Sequence, residues 1–477
     1  MKKHFLINRI ELLLFLLLLI AYSYVWHKPS WNDLGRYDLI MAIVDQGTVS
    51  IDAYEQNTGD KAIFNGHFYS DKGPAPALLG VPIYWILNQF QALFGLTQIE
   101  HMVSLLIWFT KYIIIRILVI SLPSAILGVI LYRLLNLVME DKKYALILTI
   151  AYSLGTMAFP YSTLFYGHQL AAAFIFFSFY LLYQLKRKPA AIEIISRSKS
   201  AFFSGLFLGL AVMTEYPVVL LAVVITIYAI LIFNTQKKFA KPFVYYCIGC
   251  GIPLIILLYY NSLCSGNPFQ FGYFQVAGEQ FRQEMAKGIV GITYPKLDAL
   301  FGITFSPYRG LFMINPILLL AFPGFYYFYK NKGYRPEFWI CIIAVILFFL
   351  FNASYYMWWG GWTIGPRHLI PIIPFLIIPI AFIPFKKMIN KYLLSILITC
   401  SILFMFIGTM IDPQVPDDIR RLSWSPIFGY SLPQLLAGNV YANLGTMLGL
   451  IGLTSVLPLL LVIIISIYYL YFLQKKS

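Results

Sequence analysis

Eight residues of this chain combine a charge or an imidazole with a position at an expected membrane edge. They are Asp33, Arg36, Asp71, Lys72, His168, Glu215, Arg367 and His368. Asp33 and Lys72 both fall where lipid meets water, the depth of a lipid phosphate headgroup. Lys72 follows Asp71, so a local ion pair suits it, yet Gly73-Pro74 fixes the backbone beside it and favours phosphate contact. Glu215 interrupts two apolar runs in Thr-Glu-Tyr-Pro, and an acid at membrane depth is costly enough to need a function. His168 sits in Tyr-Gly-His-Gln; a lone histidine there suits a hydrogen-bonding role. Tyr355 to His368 reads YYMWWGGWTIGPRH. Its rings suit an aromatic belt, but the Gly-Gly and Gly-Pro pairs shape a turn that presents Arg367, able to grip a phosphate with two parallel hydrogen bonds. Asp71, His168, Glu215 and His368 could hold a divalent metal if the fold brings them together. Asp33 also suits a helix N-cap, and Arg36 could pair with an acid or bind a phosphate.

The elements that must position these residues are membrane spans. Of 477 residues, 60% are hydrophobic and 12% charged, against about 25% charged in soluble domains. The net charge of +15 lies in short clusters between apolar runs, including Lys2-Lys3, Lys142-Lys143, Lys186-Arg187-Lys188, Lys237-Lys238 and Lys386-Lys387. Short basic loops mark the cytoplasmic side. No basic face interleaved with exposed aromatics is present, which argues against nucleic acid. The five cysteines lie mostly within apolar runs and read as packing residues.

Placing each basic cluster inside predicts an all-α polytopic membrane protein. Twelve spans are expected, near 10–26, 112–137, 144–158, 169–185, 200–214, 217–233, 242–259, 311–329, 337–353, 367–385, 392–411 and 446–472, with both termini cytoplasmic. The run from Ile10 to Trp26 lacks a small-residue cleavage site and reads as a retained span. Residues 75–94 are apolar but carry a strip of Asn88, Gln89 and Gln91, which predicts an amphipathic helix in the outer interface. The competing path crosses there and again near 97–110. The long loops 27–111, 260–310 and 412–445 then face outward, with the shorter 354–366, and carry fourteen of the twenty Asp and Glu residues; Glu215, at a span edge, makes fifteen on that side. The chain divides into a catalytic module over 1–259, an outer loop over 260–310 and a second membrane module over 311–477.

Within the first loop, Tyr37, Ile40, Met41 and Val44 form one helical stripe, Asn32 or Asp33 starts the helix and Gly47 ends it. Asn65-Gly66 between β-prone residues predicts a hairpin that delivers Asp71-Lys72.

Asp33-x-x-Arg36-Tyr37 just after the first span resembles the first-loop motif of GT-C glycosyltransferases, in particular lipid A aminoarabinose transferases and protein O-mannosyltransferase-like enzymes. Residues 65–95, where Lys72 precedes Pro74 and an interfacial helix, and Gly209 to Pro217 are also similar to that group. The likeness covers about the first 235 residues. The family's motif usually has two adjacent acids, where this chain has Asp33-Leu34, and many members carry lysine where Glu215 stands. The resemblance implies a GT-C-type fold in the plasma (inner) membrane, moving a sugar from a polyprenyl-phosphate donor to a lipid, glycan or protein acceptor on the outer face. Asp33 is then the expected general base, with inversion at the anomeric carbon. Arg36, Lys72, Arg367 and His368 would hold the donor phosphate, and Asp71, His168 and Glu215 would support the acceptor. A lipid transporter or flippase is the alternative, as is a polysaccharide polymerase or ligase relying on Arg282, Arg420 and Arg421. Arg309 is expected at lipid headgroups.

Overall fold

A computed structural model describes residues 8–96, 101–187, 194–234, 240–385, 387–416 and 424–476. Lys2, Lys3, Lys188, Lys237, Lys238, Lys386, Arg420 and Arg421 lie outside the described residues.

Among the described residues the regular structure is helical apart from one two-stranded hairpin. Each of the twelve predicted spans coincides with helix over most of its length, but residues 24–26, 381–385 and 448–451, placed inside spans, are not helical. Among the described residues, seven helices are long and apolar enough to cross a membrane: Met102–Val138, Gly167–Arg187, Tyr216–Asn234, Ala240–Ser265, Lys332–Ser354, Met388–Ile411 and Gly452–Lys475. The first has 37 residues, roughly 55 Å of helix against a hydrocarbon core of about 30 Å. Residues 102–110 are therefore the N-terminal extension of the second span, and among the described residues they form no separate crossing. Residues 446–451 also fall outside the last span, which starts at Gly452.

Local chemistry explains the ends of the elements that matter. Helix α1 (Arg9–Ser23) starts at a reciprocal cap, in which Asn8 Oδ1 accepts from Glu11 N at 2.9 Å and Glu11 Oε2 accepts from Asn8 N at 3.2 Å. Helix α2 (Trp31–Met41) runs on through a π-turn and ends at Gly47, whose φ of 68° suits glycine. Its start differs from expectation: Ser30 is the N-cap and Asp33 the third helical residue, completing a capping box. Of the expected stripe, Tyr37, Ile40 and Met41 are buried and Val44 half-buried, but Arg36, Asp38 and Leu39 are buried as well, so α2 is covered on nearly every side rather than along one stripe. Strands β1 (Lys61–Phe64) and β2 (His67–Ser70) pair Lys61 with Ser70 and Phe64 with His67. Asn65 and Gly66 both have positive φ in the turn between them.

Helix α3 (Ala75–Leu93) presents Trp85, Ile86, Phe90 and Leu93 outward, while Ala77, Gly80 and Tyr84 are buried. A polar network pins it. Asp45 accepts from Tyr84 at 2.9 Å and Asn88 at 3.0 Å, and Lys111 donates to Asn88 at 2.6 Å. Behind the loop, Ile194–Thr214 and Ala240–Ser265 pack almost backbone to backbone. A Cβ on Gly205 would lie 2.0 Å from Tyr246 O, and one on Gly249 would lie 2.1 Å from Phe202 O, as small-residue helix interfaces require.

Ion pairs mark one end of the bundle. Arg133 grips Glu11 at 2.8 and 2.9 Å, and Lys186 donates to Glu337 at 2.9 Å. The predicted outer loops meet at the other end.

Candidate functional site

Two backbone contacts assemble the site. A Cβ on Gly73 would lie 2.5 Å from Thr214 O, so the loop carrying Asp71 and Lys72 lies directly on the helix break at Glu215. A Cβ on Gly167 would lie 2.3 Å from Glu215 Oε1 and 2.9 Å from an Arg36 nitrogen, so the absence of a side chain there lets Arg36 reach Glu215. From the other half of the chain, Gly360 and Gly361, with φ of 80° and 72°, turn the backbone that precedes Arg367. Arg309 holds this turn: it is buried and donates to Trp359 O and Gly361 O, each at 3.2 Å. It faces backbone carbonyls, which corrects its expected place at lipid headgroups.

These segments enclose a cavity of about 270 Å³. Asp71, Lys72, His168, Glu215, Arg367 and His368 all line it, so six of the eight residues singled out in the sequence converge here. Asp60, Tyr166, Tyr273 and Trp31, which no motif singled out, also line it, as do Tyr355 and Trp362 of the expected aromatic belt, the latter stacked on Trp31. An acid after a glycine, as at Gly59-Asp60, carries no signal of its own; the register of the hairpin turning at Asn65-Gly66, which sets Lys61 against Ser70, is the signal that places Asp60 beside Lys72. A second cavity of about 290 Å³, lined by Tyr216, Val219, Leu220, Phe271, Phe274 and Phe351, shares Glu215, Tyr273, Tyr355 and His368 with the first. Polar chamber and apolar groove are thus neighbours with a common wall.

Lys72 is clamped, with Asp60 Oδ2 at 2.9 Å and Asp71 Oδ2 at 3.1 Å from its Nζ. Burial lowers the lysine's proton affinity, but the two carboxylates outweigh it and hold the ammonium above its usual range. Burial pushes Asp60 up as well, yet the Lys72 charge wins and keeps it ionised below the ordinary aspartate value. Asp71 goes the other way, because burial together with the Asp60 charge beside it exceeds the pull of Lys72. Its Oδ1 is buried with no hydrogen-bond partner. Glu215 accepts from Arg36 at 2.8 Å, with His168 Nδ1 3.6 Å away, and burial raises its pKa despite the surrounding cations. Arg367 carries its guanidinium 5.5 Å over the Tyr166 ring, and its Nε is buried without a partner.

Asp33 and Arg36 lie one layer behind the cavity. Asp33 is fully buried and its two oxygens take four donors: Ser30 N at 2.9 Å, Ser30 Oγ at 2.8 Å, Tyr112 OH at 3.0 Å and Phe165 N at 2.7 Å. A carboxylate so engaged has no free lone pair aimed at the cavity, so in this arrangement Asp33 is not placed as the expected base. Arg36 points its terminal nitrogens at Asn32 O at 3.0 Å, Asn32 Oδ1 and Glu215, its Nε is buried without a partner, and it does not line the cavity. The possible metal site also meets a geometric limit. His168 and His368 pack edge to face at 5.4 Å, but among the described residues no three His, Cys, Asp or Glu side chains stand close enough to share an ion.

No family model matches the chain, and no curated protein matches it. Solved structures similar to it include two of ArnT from Cupriavidus metallidurans, one bound to undecaprenyl phosphate and one in the apo state. Each is 16% identical to it, covering 96% of this chain and 75% of that one, with TM-scores of 0.49 and 0.47.

Proposed function

We propose that this chain is an inverting membrane glycosyltransferase of GT-C type, moving a sugar from a polyprenyl-phosphate donor to a hydroxyl-bearing acceptor at the outer face of the inner membrane. One observation carries the reading: a polar cavity presenting Lys72 and Arg367 shares its wall with an apolar groove. An amphiphile with an anionic head and a long hydrocarbon tail fits such a pair, and few other ligands need both. With the basic loops cytoplasmic, both termini lie inside and the cavity faces out.

In the reaction the acceptor oxygen attacks the anomeric carbon, a new glycosidic C–O bond forms and the sugar–phosphate C–O bond breaks. The electron pair leaves with the lipid phosphate, whose growing charge Lys72 and Arg367 stabilise in a partly dry site. The acceptor proton needs a carboxylate that faces the cavity. We assign that role to Asp71, whose Oδ1 is free and whose proton affinity is raised. Asp33 then acts by fixing the start of α2, and Arg36 by orienting Glu215.

The test is a glycosyl-transfer assay in lipid nanodiscs, with a panel of polyprenyl-phosphate sugars and membrane extract as acceptor. Wild-type turnover that disappears in Asp71→Asn while the fold persists supports the assignment. Turnover that survives in Asp71→Asn and is lost in Asp33→Asn returns the base to Asp33. A wild type that binds no polyprenyl phosphate overturns the function itself.

A further inference from the structure

The charges lining the polar cavity are unexpected for a phosphate site. Two cations, Lys72 and Arg367, face three carboxylates, Asp60, Asp71 and Glu215. Glu215 is compensated from behind by Arg36, and Asp71 has a proton to collect. Asp60 is left over. It is no helix cap, and its proton affinity is the lowest of the three by direction, which makes it the poorest base. Its one strong contact is with Lys72 at 2.9 Å; Asn32 Nδ2 reaches it only at 3.5 Å. About a quarter of its side chain is exposed, against 9% for Lys72, so it stands on the open side of the lysine.

We propose that Asp60 is a positioning residue that competes with the lipid phosphate for Lys72 and so drives release of the spent lipid carrier. This inference rests on the function proposed above. The donor is a phosphodiester with one negative charge, whereas the product is a monoester that approaches two. A cavity with uncompensated cations would therefore hold its product more tightly than its donor, and turnover would stall. Once Asp71 has taken the acceptor proton, Asp60 is the ionised carboxylate the lysine returns to, and the monoester meets a fixed negative charge beside its own site. Arg367 has no carboxylate partner among the described residues, so it supplies the contact both phosphates keep.

The measurement is binding and dissociation of a polyprenyl monophosphate on the full chain in nanodiscs of zwitterionic lipid, for wild type, Asp60→Asn, Asp60→Ser and Asp60→Glu. Removing a unit charge roughly 6 Å from the phosphate, discounted for partial exposure, should tighten binding by about tenfold. The gain should appear as slower dissociation in both neutral variants, with Asp60→Glu close to wild type. Two neutral variants guard against one failing to fold, and thermal transitions report folding separately. A residue with only a structural role would weaken binding or leave it unchanged when neutralised, and that result in both variants, with wild-type binding intact, overturns the inference while leaving the transferase reading in place. No binding by wild type or any variant overturns both.

Discussion

Breaking the Arg36–Glu215 pair should cost more from one side than from the other. The pair is 2.8 Å long, with side-chain exposures of 1% and 8%. Removing one partner of a buried ion pair typically costs about 3–5 kcal/mol, because the survivor is left uncompensated. In Arg36→Met the survivor is Glu215, which still feels Lys72 and Arg367 across the cavity, and the expected loss is therefore about 3 kcal/mol, at the low end. In Glu215→Gln the survivor is Arg36, which keeps two acceptors on Asn32, so the loss should be nearer about 2 kcal/mol. The double variant should lose about 3 kcal/mol, less than the sum, giving a coupling of about 2 kcal/mol. Unfolding equilibria of all four proteins in mixed micelles, followed by tryptophan fluorescence, measure this. The sign with pH is fixed too. Burial raises the Glu215 pKa, so its folded state favours the neutral acid, and the Arg36→Met deficit should shrink as pH falls and the carboxylate protonates. Additive losses, or a deficit that grows at lower pH, would refute the claim that this pair is desolvated and holds the α2 helix to the helix break.

The remaining predictions concern catalysis and binding. Asp71→Asn should lower turnover by about 10²–10⁴; in the wild type the acid limb of the rate profile should have its midpoint above the ordinary aspartate value, since burial raises this group and only its ionised form takes a proton. Arg367→Lys keeps the charge but loses the planar fork, so polyprenyl-phosphate affinity by titration should fall by about tenfold, and by more in Arg367→Gln. Leu220→Trp should fill the apolar groove, lowering kcat/KM for long-chain donors while sparing short alkyl ones; equal loss for both would place the tail elsewhere. Gly73→Ala puts a Cβ 2.5 Å from Thr214 O, and the displaced loop should cost about 1–3 kcal/mol of stability and most of the activity, read by melting and turnover together.

Much of the first loop was legible from local chemistry. The start and stop of α2, the hairpin turn at Asn65-Gly66 and the helix after Pro74 all depend on residues within a few positions of one another. Even there the cap fell on Ser30, because a capping box needs its acid at the third helical position and the Ser30 side chain was free to pair with Asp33. Asp60 shows the opposite limit. It is defined by Lys72, twelve positions on, and only the hairpin register links them: pairing Lys61 with Ser70 brings Asp60 to the open end of the hairpin beside Asp71 and Lys72.

The sequence by itself determined that the chain is a helical membrane protein, which twelve segments are helical, and which charged residues stand at their edges. Those properties follow from composition and short-range pattern, because a lipid core forces backbone groups to bond within their own segment. Only the tertiary structure decided which of those residues share a cavity. It placed Asp33 behind the wall, sharing four donors, and brought Asp60 to its front. It also set the apolar groove beside the polar chamber, using helices more than a hundred residues apart. Such choices depend on where backbones approach closely enough, as at Gly73 and Gly167, for charges from separate segments to meet. That is a property of packing in space, and no local pattern in the chain encodes it.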